Sequence, residues 1–177
     1  GDTHGEATFV TGLAAPPARV LDAGCGTGRV AVRLAELGYE VVGCDVDAAM
    51  VDVARADAPG LDWRVADLAT LDLGVPSTVP FDVVLLAGNV VPLLDEGTLE
   101  ATCVRLAAHV APGGVVVCGF GTDADHLPEG CPVTTVEALV AATASAGLVE
   151  RERWGTWARD PWLEEDGYVV VTLGLLR

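Results

Sequence analysis

The stretch from Val20 to Val30, Val-Leu-Asp-Ala-Gly-Cys-Gly-Thr-Gly-Arg-Val, constrains this chain more than any other. An apolar run of strand character feeds into alternating glycines and then into helix-forming residues, the order of a buried strand, a tight turn and a helix start. Gly24, Gly26 and Gly28 lack a Cβ, so the backbone there can turn sharply and approach a ligand while the N–H groups that open the helix point at it. The spacing separates one nucleotide-type cofactor from another. A dinucleotide fingerprint has its third glycine at position 29, where this chain has Arg29; here the glycines alternate at 24, 26 and 28. A tight strand-to-helix turn in any α/β domain would read the same way, so the stretch gains meaning from the strands downstream of it.

A second apolar run, Glu40 to Asp45, ends in a carboxylate about twenty residues past the glycines, where such folds place a ribose-binding acid. Asp45 is therefore the expected ribose ligand, with the alternative that Asp45 or Asp47 caps a helix starting near Ala48. A third strand, Asp62 to Ala66, also ends in an acid, Asp67, followed by Leu68; Asp67 could equally serve as a helix cap or a loop acid. A fourth, Phe81 to Ala87, is apolar after Asp82, as a strand covered on both faces should be, and empties into Gly88-Asn89-Val90-Val91-Pro92, where Asn89 could close a turn. Crossover helices follow from spacing: Val30, Leu34 and Leu37 share one face, and Leu99, Cys103, Leu106 and Val110 another. Pro112-Gly113-Gly114 is expected to end the second of these before a strand from Val115 to Gly119. Thr134 and Glu137 have capping-box spacing ahead of a helix from Val136 to Ala146, stopped at Gly147. Leu148 to Trp157 and Tyr168 to Leu176 read as two strands with too little chain between them for a helix, so they should pair antiparallel.

With Asp22 before the glycines and an acid closing each of the next two strands, the chain from about Arg19 onward resembles the class I S-adenosylmethionine (SAM) dependent methyltransferases. The resemblance implies an α/β, Rossmann-like three-layer sandwich over residues 1–177. Its sheet would have seven strands in the order 3-2-1-4-5-7-6, with strand 7 antiparallel. It implies SAM as methyl donor and S-adenosylhomocysteine as product, held by Asp22, Gly24, Cys25, Gly26, Gly28, Asp45, Val46, Asp67, Leu68, Ala87, Gly88 and Asn89. In that likeness Asp67 meets the adenine amino group, the Leu68 N–H meets the ring, and the loop at Asn89 lies beside the transferred methyl. Neither the Asp/Asn-Pro-Pro-Tyr loop of nucleic-acid amino methyltransferases nor the acid of metal-dependent catechol-type enzymes follows strand four, so no metal is expected. A positioned acceptor needs little further chemistry, since holding two groups in near-attack geometry can supply roughly 7–11 kcal/mol. The candidates for chemistry beside the methyl group are His4, Asn89 and Trp157. His126 reads as a loop residue, Arg159 as a surface or ion-paired cation, and Trp154 and Trp157 as residues on opposite faces of one strand. Members of this family usually carry one or two further helices before the glycine motif, so residues 1–18 are expected to form a short or truncated lid. Two other readings stay open: an NAD-dependent oxidoreductase and a non-catalytic SAM-binding module.

Charge narrows the acceptor. The 177 residues hold 26 acids against ten bases, a formal net charge of −16, and all the bases are arginine. A field of that sign repels a phosphate backbone, so the expected acceptor is a small molecule and not a nucleic acid. Absence of lysine rules out a Walker lysine or a lysine Schiff base. The five cysteines are odd in number and contain no C-x-x-C pair, which implies neither a disulfide framework nor a metal site. No apolar stretch reaches the roughly 20 residues of a membrane span, so a cytoplasmic location without a membrane partner is expected. Oligomeric state is not legible.

Overall fold

The computed structural model describes residues 4–74 and 80–176. Of the expected N-terminal cover, residues 1–18, the first three lie outside the described residues.

Seven strands form one sheet: β1 (Arg19–Ala23), β2 (Glu40–Asp45), β3 (Asp62–Val65), β4 (Phe81–Leu86), β5 (Val110–Gly121), β6 (Leu148–Trp154) and β7 (Tyr168–Leu175). Their order is β3-β2-β1-β4-β5-β7-β6, as the resemblance implied, with β7 antiparallel to both of its neighbours. Among the described residues six α-helices accompany them: α1 (Glu6–Thr11), α2 (Arg29–Glu36), α3 (Ala48–Asp57), α4 (Val90–Leu93), α5 (Leu99–His109) and α6 (Val136–Thr143).

Alternation along the strands feeds two cores, one on each face of the sheet. Val116, Cys118 and Phe120 of β5, with Val169, Val171 and Leu173 of β7, pack with Cys103 and Leu106 of α5 and Val136 and Leu139 of α6. Val20, Val117 and Val170 face the other way, onto Phe9 and Val10 of α1, Val30 and Leu34 of α2, and Val51 and Ala54 of α3. Both faces of the central strands are therefore dry, which is why they read as continuous apolar runs. No helix among the described residues is long and apolar enough to cross a membrane.

Four local expectations change. The capping hydroxyl of α6 is Thr135, which accepts from the Ala138 N–H at 3.1 Å, one residue later than the Thr134 expected from spacing. Strand β5 begins at Val110, ahead of Pro112-Gly113-Gly114: Val110 pairs with Phe81, and the glycines form a bulge across which the register shifts before Val115 pairs with Val83. Strand β6 stops at Trp154, so Trp154 and Trp157 do not share a strand. The Thr156 hydroxyl accepts from the Ala158 N–H at 3.1 Å and pairs with Asp160 at 2.6 Å, closing a turn where an extended chain was expected. Arg159, half-buried and at φ 67°, leaves that turn with its guanidinium 4.7 Å over the Phe9 ring, a cation–π contact where the sequence suggested a surface or ion-paired cation.

Candidate active site

The sheet order reverses between β1 and β4, and a crevice opens at the carboxyl ends of those strands, where open α/β sheets bind ligands. The β1–α2 turn forms its floor. Asp45, at the end of β2, accepts from the Gly26 N–H at 2.8 Å with one carboxylate oxygen and from the Asp47 N–H at 2.9 Å with the other, locking the turn to the neighbouring strand. Each oxygen keeps a lone pair for a further donor. Asp47, not Asp45, caps α3, accepting from the N–H groups of Ala49 and Met50. Both acids line the cavity, but Asp47 is the one that caps the helix, and Asp45 ties the glycine turn to β2.

That cavity, about 380 Å³, is walled by Gly24, Gly26, Asp45, Val46, Asp67, Leu68 and Gly88 among the expected cofactor residues, joined by Met50 and Leu93. Val46, Leu93 and Met50 are 69%, 57% and 44% exposed and give the cavity an apolar rim. Position 26 is open, its nearest neighbour being the Met50 sulfur, 3.6 Å from where a Cβ would stand. A carboxylate for a diol, an apolar slot for a flat base and a bare backbone turn fit an adenosyl group. Asp67 serves two roles at once: one oxygen accepts the Ala69 N–H at 2.8 Å, capping the turn that carries Leu68, while the residue lines the cavity.

Of the remaining expected cofactor residues, Asp22, Cys25, Gly28 and Ala87 do not line this cavity, and Asn89 lines the neighbouring one. Gly28 lies under the Trp63 ring, which a Cβ at 28 or at 43 would strike. Cys25 is half-buried against Gly43, and Ala87 is buried in the core. Burial pushes the thiols of both Cys25 and its neighbour Cys44 upward, so neither is a thiolate near neutral pH. Asp22 is fully enclosed: burial pushes its carboxyl up to about 7 against the opposing pull of the Ala31 N–H, 3.1 Å away, and of the Arg29 charge. Trp63 left no motif in the sequence, and the glycines that admit its ring were its only trace.

A second cavity, about 700 Å³, meets the first at Gly88. His4, Glu6, Arg29, Asn89, His126, Trp157, Asp160 and Tyr168 contribute to its lining. All three residues expected beside the methyl group lie here, in different roles. Asn89, at φ 65°, uses its side chain as a clamp: its carbonyl accepts from the Gly121 N–H at 2.8 Å, and its amide donates to the His126 carbonyl at 3.1 Å. Trp157 is 6% exposed, edge-on to Phe9 at 5.4 Å, and donates to the Tyr168 hydroxyl at 3.1 Å, so it is a wall. Glu6, 2% exposed, takes a bidentate contact from Arg29, with the shorter bond at 2.6 Å, fastening α1 over α2. His126, read from sequence as a loop residue, faces the cavity and pairs through Nδ1 with Asp123 at 2.7 Å. Among the described residues no group of three or more His, Cys, Asp or Glu side chains is arranged to hold a metal ion.

Sheet order, glycine turn and joined cavities define a Rossmann-like domain of the SAM-dependent methyltransferase class. A family model described as a methyltransferase domain matches residues 20–114, more than half of the chain, and the chain belongs to that family. It is 28% identical over 165 residues to the tRNA 5-carboxymethoxyuridine methyltransferase of Escherichia coli (strain K12), covering 86% of this chain and 60% of that one. Against the ubiquinone biosynthesis O-methyltransferase of Maricaulis maris it is 35% identical over 102 residues, covering 56% of this chain and 39% of that one. The chain thus spans three fifths or less of either relative's length. Among solved structures it is similar to a TehB-like SAM-dependent methyltransferase from Corynebacterium glutamicum, with a TM-score of 0.86 and 27% identity over 99% of this chain and 89% of that one. The SAM-bound amino pentose methyltransferase from Micromonospora echinaspora matches with a TM-score of 0.71 at 27% identity, over 96% of this chain and 90% of that one.

Proposed function

We propose that this chain transfers a methyl group from SAM to an oxygen, nitrogen or sulfur atom of a small molecule. The observation that carries the proposal is the pairing of cavities across Gly88. One has the carboxylate, apolar rim and open glycine turn suited to an adenosyl group. The other is a mixed polar and aromatic chamber of a size for a small acceptor. SAM supplies an activated methyl whose departure leaves a neutral thioether. The protein then has to bind, orient and exclude water, with Asp45 taking the ribose hydroxyls, Val46 and Leu68 the base, and Trp157 and Tyr168 walling the acceptor. The proposal invokes no metal. A net charge of −16 favours a small acceptor over a polyanion, even though one relative acts on tRNA.

Thermal melting with SAM, S-adenosylhomocysteine and NADH, each in large excess, tests the cofactor. A ligand at 100 times its Kd adds about 2.7 kcal/mol, a shift of several degrees. SAM and S-adenosylhomocysteine should raise Tm and NADH should not; a shift with NADH alone would favour the oxidoreductase alternative. Asp45→Ala should weaken SAM at least about tenfold, or 1.4 kcal/mol. Unchanged affinity would remove the ribose assignment. SAM binding without methylation of any acceptor would favour a binding module.

A further inference from the structure

We propose that His126, oriented by Asp123, is the general base that takes the acceptor's proton, and that the acceptor therefore presents a hydroxyl or an ammonium group, which needs that proton removed to act as a nucleophile. This rests on the methyltransferase reading of the same site. The Asp123 carboxylate lies 2.7 Å from His126 Nδ1 and also accepts the backbone N–H groups of Asp125 and His126 at 3.1 Å each, so it is fixed as an acceptor. A carboxylate facing Nδ1 puts the ring proton there and leaves the Nε2 lone pair free to accept. Hydrogen bonding from His126 holds the Asp123 carboxyl below its ordinary value, so it remains ionised as the partner.

Three further contacts aim the ring. Asn89 holds the His126 carbonyl, the His126 backbone lies against Gly121, and a Cβ at Gly167 would strike both Asp123 and the imidazole. Only glycine at 167 lets the turn before β7 close on the pair. Asn89 and Gly88 also line the chamber that His126 faces, and Gly88 borders the cofactor cavity, so the ring lies on the acceptor's side of the shared glycine. Facing it across the chamber are Asp160, Asp166, Tyr168, His4 and the Glu6–Arg29 pair. Asp123, 2.7 Å from Nδ1, is the carboxylate that meets the positive charge the ring acquires. In the step itself, a hydroxyl loses its proton as it attacks and an ammonium loses one beforehand; the lone pair so exposed forms the new bond to the methyl carbon as the carbon–sulfur bond breaks and its electron pair stays on sulfur. The acceptor's proton passes to His126 Nε2, and then to solvent. His126 touches the acceptor; Asp123 and Asn89 are positioning residues.

The test uses the full chain. Nitrogen-15 NMR of the imidazoles, with His126 assigned through His126→Gln, should report the Nδ1–H tautomer, and an Nε2–H tautomer would overturn the proposal. Methyl transfer from SAM is then followed across pH on a panel of small amines, phenols and sugar alcohols. Wild type should methylate one of these classes, hydroxyl or amine, with a rate that falls on acidification. H126Q should lose about 10²–10⁴-fold in turnover, together with that acid limb, while keeping the SAM-induced rise in Tm. Asp123→Asn should move the limb and lower kcat with the SAM shift intact. Turnover and pH profile unchanged in H126Q would overturn the proposal. So would a wild type that shows the full SAM shift yet methylates nothing in the panel. Absence of the SAM shift in wild type would instead overturn the cofactor reading beneath it.

Discussion

Gly28 sits at φ 85° beneath the Trp63 ring, whose indole N–H donates to the Ala58 carbonyl at 2.9 Å. Its placement explains why one glycine of the motif is needed for packing while Gly26 faces the open cavity. Gly28→Ala should cost about 1–2 kcal/mol from the left-handed backbone alone, and more as the pinned ring is displaced. Urea unfolding reads this directly, and a loss no greater than that range would mean the ring moves freely. Asp22 carries a second prediction. Its carboxyl, pushed up to about 7 by burial, holds a proton where the unfolded chain has already lost it. Its contribution to stability is therefore present at low pH and lost as pH rises from about 4 through 7. Asp22→Asn keeps an acceptor for the Ala31 N–H without the charge, so its stability relative to wild type should improve between pH 6 and pH 8. Urea unfolding at both values checks the sign.

At the scale of elements, the segment that carries Asp67 and Leu68 is held from α5. Arg105 donates to the Leu71 carbonyl, and His109 lies one turn further on, its Nδ1 2.6 Å from the Arg105 carbonyl and its Nε2 accepting the Leu73 N–H at 3.1 Å. This tautomer is neutral by construction: a proton on Nε2 would face another N–H. Burial lowers the His109 pKa. Below the ordinary histidine value of about 6.5, the unfolded chain therefore takes up a proton that the folded ring refuses, and stability is lost as pH falls. His109→Leu should cost about 1–3 kcal/mol at pH 7.5 by leaving the Leu73 N–H unpaired. Its deficit should narrow toward pH 5.5, and denaturant midpoints at the two pH values decide the matter.

For the whole molecule, a charge of −16 on 177 residues is a self-repelling surface. Screening with salt, whose Debye length falls from about 30 Å at 0.01 M to 10 Å at 0.1 M, should raise Tm over that range. A fall would mean that surface ion pairs such as Arg64–Asp62 and Arg33–Glu36 outweigh the repulsion.

Local chemistry was enough to mark most elements along the chain, while their order in the sheet followed from the family resemblance. Apolar runs marked buried strands, the glycine spacing pointed to the cofactor type, and the short link before β7 forced an antiparallel pair, because each signal is carried by neighbours along the chain. The tertiary structure alone decided how side chains distant in sequence are used. Asp45 and Asp47 have the same chemistry and differ only in which N–H groups the fold brings to them. Asn89 became a clamp because the backbone of β5 and the His126 loop meet its amide, and Trp157 became a wall because Thr156 and Asp160 turn the chain. His126 carried no signal of its own, since the partner that orients it and the glycine that admits it are joined only when β7 inserts beside β5.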